Sequence, residues 1–201
     1  MNSFFTISSP AEGFFKDKGS KFLSFAFPVN SHEEIKSRLD ELKSTYHDAR
    51  HYCYAWVLGL NDQKWRANDD GEPSHSAGDP ILGQIKSFNL TNTLVVVVRY
   101  FGGTKLGRPG LVNAYKQAAG DALSKAGSEE VFEMISLSVK FGYDDISKVE
   151  RMIDDLGVQV HERTYTSSCF VKASIRKELK GRLEELLKDH FEIKIEFDGN
   201  I

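Results

Sequence analysis

The chain has 201 residues, 40% of them hydrophobic and 27% charged, a balance that supports a packed core along most of its length. Its 26 Lys and Arg stand against 29 Asp and Glu, a formal net charge of -3, which excludes a general polyanion binder but is compatible with a local basic patch. Two cysteines, Cys53 and Cys169, are too few for a secreted disulfide scaffold and favour a reducing compartment.

Met1 to Phe15 lacks the basic start and long apolar run of a secretory leader. The longest apolar run, Leu94 to Val98, is far too short to span a bilayer. A soluble, cytoplasmic protein with no membrane partner is therefore expected.

In chain order, Lys21 to Val29 is rich in Phe and Leu and reads as a strand. Ser31-His32-Glu33-Glu34 is a capping-box pattern that opens a helix, with Ile35, Leu39, Leu42 and Tyr46 as its apolar stripe. His51 to Leu60 reads as a strand, with Trp65 to Ala67 as a short partner across an Asn61-Asp62 turn. A polar loop from Asn68 to Pro80 precedes a short helix over Ile81 to Phe88. Thr93 to Phe101 is a continuous β-branched run, the mark of a strand buried on both faces. A glycine-rich turn, Gly102 to Gly110, leads into a helix from about Leu111 to Ala126, stopped by Gly127.

The last third has another rhythm. Ile135 to Phe141 alternates as a strand, and Ile146, Val149, Ile153 and Leu156 line a helix ending at Gly157. Val158 to Tyr165 and Cys169 to Ile175 form two strands around a short turn. Leu179, Leu183, Leu186 and Leu187 line a second helix, and Phe191 to Phe197 alternates as a final strand. The order is β-α-β-β-α-β, the ferredoxin-like pattern. The expected fold class is α+β in two domains, residues 1–130 and 131–201.

Two loops carry the functional signal. In the first, Asp69, Asp70 and Glu72 lie so close in sequence that their repulsion calls for an offset. A magnesium ion, nearby Arg or Lys, or simple solvation of a turn would each supply it. The second runs from Arg99 to Gly110. Its glycines turn backbone N–H groups inward at a helix start, a setting that favours anions, and Lys105 and Arg108 add charge. A tight connection needing positive φ explains the same glycines. The order of a Walker A loop is absent. From Pro80 through Gly120 there is no Asp or Glu, whereas Lys86, Arg99, Lys105, Arg108 and Lys116 all fall there. That one-signed stretch suits an external anion, or neutralises the acidic loop of the same molecule.

Histidines and cysteines give a weaker lead. His47, His51, Cys53 and His75 lack zinc-site spacing. A strand cysteine such as Cys53 is more often buried than nucleophilic, and Cys169 alternates with core positions. Tyr52, Tyr54 and Trp56 share one strand face, and Tyr100 and Phe101 adjoin the glycine loop. Exposed, these aromatics would stack bases of single-stranded nucleic acid; buried, they would be core.

These motifs resemble a known family. Ala49-Arg50-His51-Tyr52-Cys53-Tyr54-Ala55 resembles its A-x-H-x-C-x-A segment, and Asn68 to Ser74 its S-D-D-G-E-P-S loop. Val96 to Gly107 resembles its V-V-x-R-Y-F-G-G-x-K-L-G stretch, continued by Gly110-Leu111-Val112 and Ala114-Tyr115. On these residues the chain is similar to the IMPACT/YigZ family over most of residues 15–127. His75 stands where many members have Gly, and Arg108-Pro109 where small residues are usual.

The resemblance implies an N-terminal ribosomal-protein domain-2-like α/β sandwich, with a four-stranded sheet backed by helices. It also implies a C-terminal domain resembling a late domain of elongation factor G. Eukaryotic relatives act in translational control, restraining a stress kinase that acts on an initiation factor. The expectation is a translation-linked binding or regulatory protein rather than an enzyme, with RNA or a ribosome-associated protein as partner and no catalytic residue assigned. Its binding residues would be Arg99, Tyr100, Gly102, Gly103, Lys105 and Arg108, with Asp69, Asp70 and Glu72 as the acidic loop and His51 and His75 as polar contacts. The alternative is an enzyme or binding protein for a small phosphorylated ligand, with magnesium at Asp69, Asp70 and Glu72. No other cofactor is implied, and no feature of the sequence sets the oligomeric state.

Overall fold

The computed structural model describes residues 3–59, 64–166 and 169–200. It mixes helices and sheets in two compact units, Phe4–Val131 and the chain from Phe132 onward together with Ser3. Among the described residues, no helix is long and apolar enough to cross a membrane.

The larger unit is built on a five-stranded antiparallel sheet. Its strands are β2 (Ala11–Asp17), β3 (Ser20–Pro28), β4 (His51–Leu58), β5 (Lys64–Asn68) and β6 (Thr93–Tyr100), in the order β2-β3-β6-β4-β5. A further strand, β1 (Ser3–Thr6), pairs with β7 (Glu129–Phe132) in a separate ribbon. β6 is central, and its β-branched run is buried from Thr93 to Arg99, as a strand covered on both faces must be. The fifth strand, against the four implied by the family resemblance, is β2. It joins β3 through Lys18 and Gly19, both at positive φ (43° and 82°), the backbone of a tight hairpin turn. The half-exposed sequence of β2 gave no apolar run to announce it. The expected Asn61-Asp62 turn, and Leu60 at the expected end of β4, lie outside the described residues.

Three helices cover this sheet. α1 (His32–Thr45) starts at Ser31, whose hydroxyl accepts the Glu34 N–H at 3.2 Å, while Glu34 accepts the Asn30 N–H at 2.8 Å. Its Ile35 and Leu42 pack with Phe25, Tyr52, Trp56, Val96 and Val98 on one sheet face. Tyr52 and Trp56 are thus core residues of that face. α2 (Gly78–Ser87) and α3 (Gly107–Ala126) pack with Phe22, Cys53, Val95 and Val97 on the other. Small residues at Ala114, Ala118, Ala119 and Ala122 let α3 approach closely, and buried Ser24 donates to the Ala118 carbonyl at 2.6 Å.

Both helices begin earlier than their apolar stripes suggest. α3 includes Pro109, which is tolerated because first-turn N–H groups need no helical acceptor. α2 starts at Gly78 because a carboxylate distant in sequence caps it, as described below.

The smaller unit contains β8 (Met134–Phe141), α4 (Ile146–Leu156), β9 (Gln159–Tyr165), β10 (Cys169–Arg176), α5 (Lys180–Leu187) and β11 (Lys194–Asn200). The sheet order is β11-β8-β10-β9, all pairs antiparallel. Val149, Ile153 and Leu156 of α4 and Leu183 of α5 cover Leu137, Val139, Val171 and Ile175. Gly157 closes α4 in the left-handed region at φ 60°. Phe191, expected to open the last strand, lies before it and is 87% exposed. Part of the turn expected between β9 and β10, residues 167–168, lies outside the described residues.

Candidate functional site

Strand register brings the two loops together at one end of the larger sheet. Arg99, near the end of β6, lies opposite His51 of β4 on one side and Phe22 of β3 on the other. The acidic loop follows β5, whose last residue, Asn68, lies opposite Tyr54.

Each carboxylate of the acidic loop has a protein partner. Asp69 accepts three backbone N–H groups, from His75 at 2.8 Å and from Ala77 and Gly78 at 2.9 Å each. It therefore caps α2, whose own N-cap residue, Ala77, has no side-chain donor or acceptor. Burial pushes the Asp69 carboxyl up, but the bonds from Gly78, His75 and Ala77 outweigh it and hold the group below the usual carboxylate range. Asp70 accepts the Tyr52 N–H at 2.7 Å. Glu72 accepts from Arg99 at 2.5 Å and from the Tyr115 hydroxyl at 2.9 Å. Among the described residues, no three His, Cys, Asp or Glu side chains gather as a metal ion would need.

The Arg99–Glu72 pair is buried, with side chains 7% and 4% exposed. The guanidinium also lies over the rings of Phe22 and Phe101, at 5.4 and 5.7 Å, and reaches the Ser20 hydroxyl at 3.5 Å. Arg108 donates to the Ser74 carbonyl at 2.9 Å, a second link between the loops. The charges of the two loops thus offset one another in part, which sequence reading left open beside an external anion.

Behind the pair, Cys53 donates to the Asp69 carbonyl at 3.0 Å and lies 3.2 Å from the Tyr115 hydroxyl. Burial drives the Cys53 thiol and the Tyr115 phenol well above their usual ranges, so both are neutral. This buried chain from Cys53 through Tyr115 to Glu72 and Arg99 holds the loops in place. Tyr115 gave no functional signal in the sequence beyond its place in a family motif.

Tyr100 donates to Asp48 at 2.7 Å, and that bond, with burial, raises its phenol to about 12. Gly102 donates its N–H to the Ser20 hydroxyl at 3.1 Å and lies so close to Gly19 and Ser20 that a Cβ there would overlap their backbone. Gly103 has φ 86° and open space around it. His51 Nδ1 lies 2.8 Å from the Asp70 carbonyl, and exposed His75 lies 2.7 Å from Asp79. Lys105 and Arg108 are exposed.

Between the loops opens a cavity of about 420 Å³, whose lining includes Arg50, His51, Glu72, Arg99, Lys105 and Arg108. A neighbouring cavity of about 290 Å³ shares Arg50, His51, Arg99 and Phe101 with it. Arg50 was not among the residues expected at the site, whereas Phe101 was expected there only as a base-stacking aromatic if exposed, and it is exposed. Arg50 sits inside the A-R-H-Y-C motif, and Phe101 follows the strand end, but nothing in either position tells of a shared cavity.

Residues 18–123 match the Impact N-terminal domain, a match over more than half of the chain. This chain belongs to the IMPACT family. The IMPACT family member YvyE of Bacillus subtilis is 33% identical over 168 residues, covering 84% of this chain and 77% of the relative. The IMPACT family member YigZ of Escherichia coli is 27% identical over 177 residues, 87% of each chain. Both likenesses run past the larger unit. A crystal structure of a hypothetical protein matches 97% of each chain with a TM-score of 0.73 at 25% identity. Within the IMPACT match lie both loops, Arg50 and Phe101.

Proposed function

We propose that this IMPACT family member is a translation-linked binding or regulatory protein that recognises an anionic partner, RNA or a ribosome-associated protein, in the cleft between its two loops. One observation carries the reading. The carboxylate in the cleft, Glu72, is paired with Arg99, so the exposed charge left at its rim is that of Arg50, Lys105 and Arg108. In a protein of net charge -3, such a local excess of positive charge steers anions to one place. Its position within the family-defining segment supports the link with translation that the resemblance implies.

The fold supports the same reading at a finer level. The β11-β8-β10-β9 order of the smaller unit, with two βα connections, supports a ferredoxin-like domain resembling a late elongation-factor domain. The antiparallel sheet of the larger unit, covered by helices, suits a ribosomal-protein domain-2-like sandwich. A second, linked domain adds avidity when both engage one partner.

A second reading has one observation in its favour. A cavity of about 420 Å³ falls within the usual range for small-ligand pockets. A phosphorylated small molecule would meet the same cations. Magnesium at Asp69, Asp70 and Glu72 would have to displace the N–H, Arg99 and Tyr115 contacts these groups now make.

The test is fluorescence anisotropy of a labelled single-stranded RNA over a salt series, for the native protein and for the variant Arg50→Ala/Lys105→Ala/Arg108→Ala. Arg99 is left intact because its side chain is buried in the Glu72 pair. The expected result is weaker binding by the variant and a salt slope smaller by about 0.7 per phosphate contact removed. Equal binding by both proteins would remove the cleft from the reading. Failure of the native protein to bind would remove RNA and turn the search to acidic proteins and small phosphorylated ligands.

A further inference from the structure

Phe101 does not behave as a core aromatic. It is 57% exposed, directly after a strand that is buried from Thr93 to Arg99. It lines both cavities already described and a third of about 590 Å³, whose lining includes Phe14, Lys21 and Tyr100. Phe14 is itself 49% exposed. Single exposed aromatics are ordinary and need no explanation. Here two of them share one cavity, which adjoins a cationic cleft through Phe101.

The charge around them is in positive excess. The three cavities are lined by the cations Lys21, Arg50, Arg99, Lys105 and Arg108 and by two carboxylates, Glu72 and Asp48. Arg99 cancels Glu72, and Asp48, which accepts the neutral Tyr100 hydroxyl, keeps its charge beside Lys21, so Arg50, Lys105 and Arg108 remain as the excess. A partner here meets flat apolar rings interleaved with positive charge. An acidic peptide would use the charge but offers few flat groups to cover both rings. A nucleic-acid strand offers an aromatic face and a phosphate at every residue. A duplex hides its base faces, so the strand must be single.

Resting on the reading of the cleft as an anion site, we infer that Phe101 and Phe14 are stacking platforms for neighbouring bases of a single-stranded RNA. Arg50, Lys105 and Arg108 hold its phosphates on the cleft side. Arg99 supports the platform from beneath: its guanidinium lies over the Phe101 ring and is itself fixed by Glu72. The Phe101 ring is thereby held in place before a base arrives, which lowers the ordering cost of stacking.

The experiment compares native protein, Phe101→Ala, Phe101→Trp and Phe14→Ala in binding a labelled, unstructured RNA, the same strand with abasic residues, and free nucleoside monophosphates. Phe101→Ala is expected to weaken RNA binding roughly tenfold without changing the salt slope, and Phe14→Ala to weaken it less. Phe101→Trp is expected to retain binding, and the abasic strand, which loses both stacks, to bind the native protein more weakly than intact RNA binds Phe101→Ala. Competition by monophosphates at concentrations far above that of RNA would identify one nucleotide as the recognised unit, with the strand adding avidity.

The inference falls if the abasic strand binds as well as the intact one, or if Phe101→Ala binds normally, even where the Arg50, Lys105 and Arg108 variant loses affinity. In that case the cleft still reads phosphate, and only the stacking is wrong. Because Phe101 is exposed, circular dichroism of Phe101→Ala should match the native protein.

Discussion

Arg99 and Glu72 form a buried ion pair at 2.5 Å that ties the end of the central strand to the acidic loop. Charges taken out of water in this way attract each other strongly, but each is costly without the other. Glu72 has the Tyr115 hydroxyl as a second donor, whereas Arg99 Nε is buried without an acceptor among the described residues. The pair is therefore read as a device that fixes the loops, and only secondarily as a source of stability.

Removing either partner should expose that cost. Arg99→Ala or Glu72→Ala is expected to destabilise the larger unit by about 3–5 kcal/mol in urea unfolding. Arg99→Ala combined with Glu72→Ala should lose clearly less than the sum of the single changes. Additive losses would show that the two side chains do not act as a pair.

Asp69 should leave a signature in acid. Its folded carboxyl titrates below its ordinary 3.8, so its contribution is present above that value and is lost as pH falls through the folded one. Asp69→Asn is expected to cost about 1–2 kcal/mol at neutral pH through the weakened cap on α2. The gap between variant and native protein should narrow below about pH 4. A constant gap from neutral to acid would show that the charge plays no part in the cap.

The two glycines of the binding loop should differ. Gly102→Ala drives a Cβ into the backbone of Gly19 and Ser20, so the hairpin or the loop must move. Thermal unfolding should show a loss of several kcal/mol. Gly103→Ala meets open space, and only its φ of 86° opposes the change, at about 1–2 kcal/mol. Equal effects would mean that backbone conformation, rather than close approach, decides both.

Cys53 and Cys169 are both buried, and burial holds the Cys53 thiol protonated at neutral pH. Neither is expected to react with iodoacetamide in the folded protein at a rate near that of a free thiol. Both should react fully in denaturant. Rapid native-state alkylation at Cys53, located by mass spectrometry, would show that the region behind the cleft opens.

The sequence could be read for whatever depends on near neighbours. The β-branched run of the central strand, the Ser31 capping box and the small residues of α3 are local patterns, and each formed the expected element. β2 was illegible because its stability comes from pairing with β3 and packing under α3, with half its residues exposed. The early start of α2 was hidden for a similar reason: its capping carboxylate lies eight residues before the cap position.

Local chemistry alone thus determined most of the elements, the family motifs and the presence of an acidic loop and a basic, glycine-rich one. Which charges those loops would leave exposed was decided only in three dimensions. Arg99 and Glu72, 27 residues apart, meet because β6 lies between β3 and β4 and the acidic loop folds back over that end of the sheet. The same register places Arg50 and Phe101 on shared cavities. Sequence carries the charges, but burial selects which of them water, and hence a partner, can reach.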